Sequence, residues 1–105
     1  MSKPLIANHA RQSEASKFHR DVFAFFGGPK RVCALCGKPG ATDAAHVIAR
    51  ARLGPLRYAN PRLARPAHRE CHERQERGEI DFSLAIRRDA VHAHNAIAKI
   101  KLVMP

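Results

Sequence analysis

Near the N-terminus, apolar residues recur every three or four positions along the chain. These positions are Phe18, Val22, Phe25 and Phe26. Their spacing predicts one helix over residues 13–26, with Ser13 as its N-cap. The Gly-Gly-Pro sequence at residues 27–29 is then expected to end the helix.

A second and longer apolar stripe lies near the C-terminus. Its members are Phe82, Ile86, Ala90, Ala93, Ile97 and Ile100. This stripe predicts an amphipathic helix from Phe82 to about Leu102, with Asp81 as its cap. His92 and His94 do not share a face of that helix, and we expect both to be ordinary surface residues.

The sequence pattern in the middle of the chain predicts shorter elements, and we expect the functional residues to lie there. Residues 43–49 are apolar and partly β-branched, which favours a strand. Prolines and a glycine interrupt any periodicity in residues 53–67, so this stretch is expected to be mainly loop, with a short strand at Arg62–Arg65. A helix is predicted from about Arg69 to Arg77, and Gly78 is expected to end it.

Charge favours a nucleic-acid partner. The 105 residues carry 19 Lys+Arg against 9 Asp+Glu, a formal net charge of +10. Residues 50–69 contain arginines and no acid, and the guanidinium group matches the geometry of phosphate. These arginines are Arg50, Arg52, Arg57, Arg62, Arg65 and Arg69. We expect them to bind DNA, with RNA as the other nucleic acid to consider and an ordinary solvated surface as the alternative explanation.

Length and composition exclude several other classes of protein. A hydrophobic content of 45% is enough to fold, which excludes a wholly disordered chain. No apolar run approaches the roughly 18–20 residues of a membrane helix, and the N-terminus does not resemble a secretory signal, so we expect no membrane and a cytoplasmic location. A chain of this length buries a small core, so an additional constraint such as a metal ion is expected.

The cysteines form a pattern typical of a zinc site. In Cys33-Ala34-Leu35-Cys36-Gly37, two thiolates two residues apart can bind one tetrahedral ion. His68-Arg69-Glu70-Cys71 repeats that spacing with an imidazole in place of one thiolate. The predicted ligands of a structural Zn²⁺ are therefore Cys33, Cys36, His68 and Cys71. The alternative is that three small buried residues and a surface histidine share this spacing by chance.

Three further polar residues lie between and just after these two pairs. The order along the chain is C-x-x-C, His46, Asn60, H-x-x-C and His72. This order resembles the HNH endonucleases of the ββα-metal class, in the subgroup whose hairpin and helix are held by zinc-binding knuckles. The resemblance covers roughly residues 31–78. Its most specific part is H-R-E-C-H at residues 68–72, which corresponds to the family's C-x-x-C-H.

The resemblance implies an α+β fold with a small zinc-stabilised ββα-metal core that is treble-clef-like. The whole chain, residues 1–105, is then a single domain with three parts. These parts are an N-terminal helical extension at 1–30, a zinc-knuckle HNH core at 31–80 and a C-terminal amphipathic helix at 81–105.

The resemblance also implies catalytic roles. In that family the strand histidine is the general base that activates water, the loop asparagine holds the hairpin in shape, and the helix histidine binds a catalytic divalent ion. Carried over, His46 is the base, Asn60 the positioning residue and His72 the ligand of Mg²⁺ or another divalent ion such as Mn²⁺ or Ni²⁺. A neutral imidazole can accept a proton from water near pH 7, which suits His46 independently of the family.

This sequence departs from the family pattern at the second ligand of that ion. Many members place an acid or a histidine immediately before the base, where this chain has Ala45. Asp43 lies two residues before Ala45 on the same face of an extended strand, and Glu76 lies one helical turn after His72. Both are candidate ligands, although Glu76 can equally pair with an arginine and Asp43 can simply begin the strand.

Three functions are compatible with these features. The leading hypothesis is a metal-dependent endonuclease that hydrolyses DNA phosphodiester bonds with low sequence specificity, in a phage or mobile-element context that the resemblance alone implies. The alternative is a non-catalytic zinc-knuckle module that binds nucleic acid and does not need His46 or His72. The third is a zinc-stabilised adaptor whose C-terminal helix binds a protein partner or a second copy of the chain.

Overall fold

A computed structural model describes residues 14–98, in which short helices surround a two-stranded antiparallel sheet. Helix α1 occupies residues 14–22 and continues into a π-helical turn at Phe23–Gly27. The other elements are β1 (Asp43–His46), α2 (Arg50–Leu53), 3-10 turns at Gly54–Leu56 and Pro61–Leu63, β2 (Ala64–Ala67), α3 (Arg69–Glu76) and α4 (Leu84–Ile97). The predicted α+β class is confirmed. Within the described residues, no helix combines the length and apolar character needed to cross a membrane.

Helix α1 buries a different set of aromatic residues from the one predicted. Phe18 and Val22 are buried as expected. The π-helical turn then inserts extra backbone into the helix and rotates the residues that follow. As a result Phe23 is buried, whereas Phe25, which was predicted to face the core, is 66% exposed.

The ends of the first and third helices follow from their glycines. Gly28 follows the π-helical turn with φ of 63°, and Gly78 follows α3 with φ of 79°. Glycine adopts this left-handed conformation without a steric penalty. Both stops were predicted, and so was α3. The predicted N-cap of α1, Ser13, lies outside the described residues.

The two strands pair from Asp43 opposite Ala67 to His46 opposite Ala64. Strand β1 is shorter than the strand predicted at residues 43–49, and β2 is displaced from the strand predicted at Arg62–Arg65. The second strand begins at Ala64 because a 3-10 turn occupies the residues before it. Helix α2 was not predicted, since four residues are too few to show a periodic pattern even though they are good helix formers.

The C-terminal helix is shorter than predicted within the described residues and has a different cap. Helix α4 begins after Ser83, whose Oγ accepts a hydrogen bond from the N–H of Ile86 at 3.3 Å. The proposed cap, Asp81, instead accepts from the N–H of Phe82. Residue 98 is extended, and the last members of the predicted helix, at 100–102, lie outside the described residues. His94 is buried at 4% exposure, so its prediction as a surface residue was wrong.

The buried face of α4 packs on the segment between the two strands. Ala90 and Ala93 contact a cluster that contains Ile48, Leu53 and Leu63. Helix α1 packs separately, with Phe18 and Val22 against Ala64 of β2. The hairpin is therefore held between α1 and α4.

An ion-pair network joins α4 to the hairpin. Arg65 is only 6% exposed, and it donates to Asp89 at 2.6 Å and to the carbonyl of Arg62 at 2.7 Å. Its guanidinium carbon lies 3.8 Å from the centre of the Phe26 ring. Arg62 donates to the same carboxylate at 2.6 Å. Arg65 is therefore buried and paired within the fold, the side chain of Arg62 is engaged by the same carboxylate, and DNA binding by either arginine stays a prediction.

Replacing Asp89 tests this network. Asp89→Ala leaves the Arg65 guanidinium buried without its carboxylate, so we expect a loss of about 2 kcal/mol in the free energy of unfolding. Asp21→Ala, which breaks the exposed pair with Lys17, is the matched control and is expected to cost less than about 0.5 kcal/mol. Urea unfolding of both variants and the unaltered protein at pH 7 measures these differences.

The stabilisation by Asp89 is expected to decrease at low pH. The hydrogen bond from Arg62, with Arg65 adding to it, outweighs burial and holds the pKa of the Asp89 carboxyl below its usual range. The contribution of Asp89 is therefore complete above the unfolded-state pKa, about 3.9, and is lost as pH falls through the folded-state value. An equal cost for Asp89→Ala and Asp21→Ala at pH 7 would contradict the account.

Candidate metal centre and active-site cleft

The predicted zinc ligands converge in space. Within the described residues, Cys33, Cys36, His68 and Cys71 form a group that could hold a metal ion, with one ligand atom of each lying within 4.8 Å of the others. The first two lie in the turn between α1 and β1, and the other two lie at the start of α3. Three thiols and an imidazole are the donor set of a structural zinc site.

Backbone groups orient these ligands. The Nε2–H of His68 donates to the carbonyl of Pro39 at 2.8 Å, which leaves Nδ1, 3.3 Å from the Cys36 sulfur, as the nitrogen with a free lone pair. The N–H groups of Leu35 and His68 both point at the sulfur of Cys33, at 3.4 Å. The site is thus preorganised by the turn and by the helix start.

The surroundings of Cys33 and Cys71 shift the pKa values of these two thiols in opposite directions. Burial alone would raise the pKa of Cys33, but hydrogen bonds from backbone N–H groups, led by that of His68, lower it to about 6. Burial and the neighbouring sulfurs of Cys36 and Cys33 raise the pKa of Cys71 to about 11. Several thiolates this close together need a cation, and metal binding therefore releases protons.

A cleft of about 640 Å³ lies beside the hairpin and is formed by α1, β1, α2 and α3 with their adjoining loops. His46 and His72, the two histidines singled out by the resemblance, both line it. Four small alanines line it too, which keeps it open: Ala15, Ala44, Ala49 and Ala51. The hairpin and helix that carry the two histidines therefore present them to one space.

His46 is held in an orientation and a charge state that suit a base. Its ring stacks on Phe18 with centres 5.1 Å apart, and its Nε2–H donates to the carbonyl of Arg57 at 2.7 Å. Nδ1 therefore carries the free lone pair. Burial lowers the pKa of His46, and the positive charge of Arg50 lowers it further against the opposing effect of the Arg57 hydrogen bond. A neutral imidazole at pH 7 follows.

His72 lies between two carboxylates. Its Nδ1 is 3.1 Å from Asp43 and its Nε2 is 3.5 Å from Glu76. Since a carboxylate can only accept, Nδ1 donates to Asp43, and Nε2 is left on the side of Glu76. Glu76 lines the cleft, whereas Ala45 is completely buried in the core and offers no ligand position there.

Asp43 and Glu76 lie beside different nitrogens of His72. Because a histidine binds a given ion through one nitrogen, the two acids cannot both join His72 in binding the same ion. Glu76 and Nε2 of His72 are the pair available to a divalent ion, and Asp43 orients the ring by accepting Nδ1–H. Asp43 also accepts from Arg69 at 3.2 Å, and the His72 and Arg69 contacts hold its pKa below the usual range although burial opposes them.

Asn60 shapes the hairpin and does not reach the cleft. Its Oδ1 accepts from the N–H of Arg62 at 2.9 Å, and its carbonyl accepts from the N–H of Leu63 at 3.1 Å. These bonds form the 3-10 turn that precedes β2. Asn60 therefore holds the turn before β2 in shape, and its role in catalysis stays a prediction.

Arg50, Arg52 and Arg57, also predicted to bind DNA, are all exposed. Arg50 lines the cleft, and Arg52 is exposed on the same helix. Arg57 donates to the carbonyl of Gly54 at 3.0 Å, and its guanidinium lies over the ring of Tyr58. Neither Arg50 nor Arg52 has a carboxylate within ion-pair distance among the described residues.

Sequence reasoning missed the contribution of α1 to the cleft. Phe18 stacks on His46, and His19 lines the cleft while its Nε2–H donates to the carbonyl of Thr42 at 2.8 Å. The chemistry was expected in the middle of the chain, outside this helix. Its only sequence signal was a histidine beside the apolar stripe, which many surface helices share.

Removing one predicted zinc ligand tests the metal centre. His68→Ala is expected to lose zinc on dialysis against a weak chelator and to melt about 10 °C or more below the unaltered protein, which should retain about one zinc ion per chain. His92→Ala removes an exposed histidine from α4 and should change neither property. Elemental analysis and thermal unfolding give the two readouts, and zinc retention by His68→Ala would overturn the assignment.

Comparison of the chain with protein-family models, with curated proteins and with solved structures gave no match. The similarity to HNH endonucleases therefore rests on the residues themselves.

Proposed function

We propose that this protein is a metal-dependent endonuclease of the HNH type that hydrolyses phosphodiester bonds in DNA. One observation carries the proposal. His46 at the end of β1 and His72 in α3 line the same cleft, and the turn before β1 and the start of α3 converge on four side chains that could hold a metal ion. This is the arrangement that base-assisted, ion-assisted hydrolysis of a phosphodiester requires.

In this mechanism His46 removes a proton from the attacking water. Nδ1 carries the free lone pair, because Nε2–H is committed to the carbonyl of Arg57. The water oxygen forms a bond to phosphorus, the bond from phosphorus to the 3′ oxygen breaks, and the proton passes to His46. Phe18, stacked on the ring, fixes its plane and shields it from solvent.

The second half of the site faces the leaving group. His72 and Glu76 would hold Mg²⁺, Mn²⁺ or Ni²⁺, which supplies positive charge to the phosphate and to the departing 3′ oxygen. Asp43 keeps the His72 ring in place. Arg50 at the cleft wall binds the phosphate backbone, and such contacts position a strand without reading its sequence, which gives low sequence specificity.

A non-catalytic nucleic-acid-binding module is the second candidate. The observation in its favour is that Ala45 is buried and Asp43 contacts the nitrogen of His72 opposite Glu76, so the described residues offer two protein groups to an ion at that side of the cleft. This candidate retains the zinc group and the basic surface. An adaptor that binds through α4 has less support, because the buried face of α4 is already covered by Leu53 and Leu63.

Cleavage of supercoiled plasmid distinguishes the two candidates. With Mg²⁺, Mn²⁺ or Ni²⁺ the unaltered protein should convert the plasmid to the relaxed or linear form. His46→Ala should be slower by at least about 100-fold, because the general base is lost. His92→Ala, on the exposed side of α4, should cut at the normal rate.

Two further readouts bear on the same proposal. EDTA should abolish cleavage, and the rate should rise with pH through a midpoint below the ordinary imidazole value of about 6.5, because burial lowers the pKa of His46. Retarded but intact plasmid with every ion would overturn the nuclease proposal and favour the binding module.

A further inference from the structure

The active-site cleft continues over the surface of α1. A second depression, of about 400 Å³, is lined by Ala15, Ser16, His19 and Arg20. Ala15 and His19 also line the main cleft, so the two concavities adjoin at these two residues. A chain that lies across His46 and His72 would reach this face of α1 by passing over Ala15 and His19.

This face of α1 has the chemistry of a phosphate-binding surface. It offers a hydroxyl from Ser16, an imidazole from His19 and a guanidinium from Arg20, and it contains no acid. Arg20 is exposed and has no carboxylate within ion-pair distance among residues 14–98. Arginine with a free guanidinium is the side chain best matched to a phosphodiester oxygen pair.

The opposite side of α1 differs in charge. A depression of about 460 Å³ there is lined by Glu14 and Asp21 as well as by Lys17 and Arg57. This depression also adjoins the cleft, through Phe18 and Tyr58. Lys17 is paired with Asp21 at 2.8 Å, however, so the positive charge on this side of the helix is already neutralised, whereas that of Arg20 is not.

The cleft-side face is also held in place relative to the hairpin. The hydrogen bond from His19 to the carbonyl of Thr42 joins α1 to the residue immediately before β1. The ring of His19 stacks on Phe23 at 4.8 Å between centres. The position of Arg20, the next residue, is thus set with respect to the strand that carries His46.

We propose that the α1 face formed by Ala15, Ser16, His19 and Arg20 binds the sugar-phosphate backbone of the substrate strand next to the phosphodiester in the cleft, with Arg20 as its phosphate contact. The proposal rests on the proposed nuclease function. It assigns nucleic-acid binding to a helix outside residues 31–78, the stretch that resembles the HNH family.

Salt-dependent binding of labelled DNA tests this surface. Zinc-containing His46→Ala protein, which binds without cutting, is titrated with a labelled duplex and separately with one of its strands at several KCl concentrations. Adding Arg20→Ala should weaken binding about fivefold to tenfold at low salt and reduce the slope of log K against log salt by about 0.9 for duplex or 0.7 for a single strand. Arg20→Lys should restore most of the slope.

Lys17→Ala is the matched control. It removes the same single charge from the same helix, but on the side that carries the acids, and it should leave the slope unchanged. Equal effects of Arg20→Ala and Lys17→Ala would overturn this inference while leaving the nuclease proposal intact, provided that the unaltered protein cuts plasmid. Absence of any DNA binding by the His46→Ala protein, together with intact plasmid in the assay of the unaltered protein, would overturn both.

Discussion

The convergence of Cys33, Cys36, His68 and Cys71 is the constraint on which the rest of the structure depends. The sheet has two strands of four residues and the third helix has eight, so neither buries enough apolar surface to be stable alone. An ion bound by these four groups would tie the turn before β1 to the helix that follows β2. It would thereby close the hairpin between them at its open end.

The two outer helices also pack on the hairpin and its connecting segment. Helix α4 is attached through Asp89, which binds the buried guanidinium of Arg65. Helix α1 is attached through Phe18, which stacks on His46, and through the hydrogen bond from His19 to the backbone before β1. Helix α1 therefore contributes to the floor and the wall of the cleft, and its removal would expose the proposed base to water.

Features of the structure that depend on local sequence patterns could be predicted, whereas those that depend on distant residues or on irregular backbone could not. The metal group and α3 were predictable because ligand spacing and helix ends are local patterns. The burial of Arg65 was not predictable, because it depends on Asp89, a residue distant in sequence. A run of arginines has the same sequence pattern whether its side chains are solvated or paired. The exposure of Phe25 depends on a π-helical turn for which the apolar spacing gives no signal.

The geometry at His72 is the part of the candidate site that sequence spacing described least well. Asp43 and Glu76 were both predicted as ligands of one ion, yet they lie beside different nitrogens of the same ring. Ring orientation decides which acid remains for the ion, and it follows from the pairing of β1 with β2 and the position of α3. The proposal therefore has two metal sites next to each other on α3. One is a structural site with four protein ligands, and the other is a site at His72 and Glu76 that is open to the cleft.

Anomalous diffraction from crystals grown with Zn²⁺ and soaked in Mn²⁺ tests this two-site account most directly. The account predicts one zinc peak among the sulfurs of Cys33, Cys36 and Cys71 and the Nδ1 of His68. It also predicts a separate manganese peak beside the Nε2 of His72 and Glu76. Manganese bound elsewhere, or zinc at His72 and none at the cysteines, would contradict it.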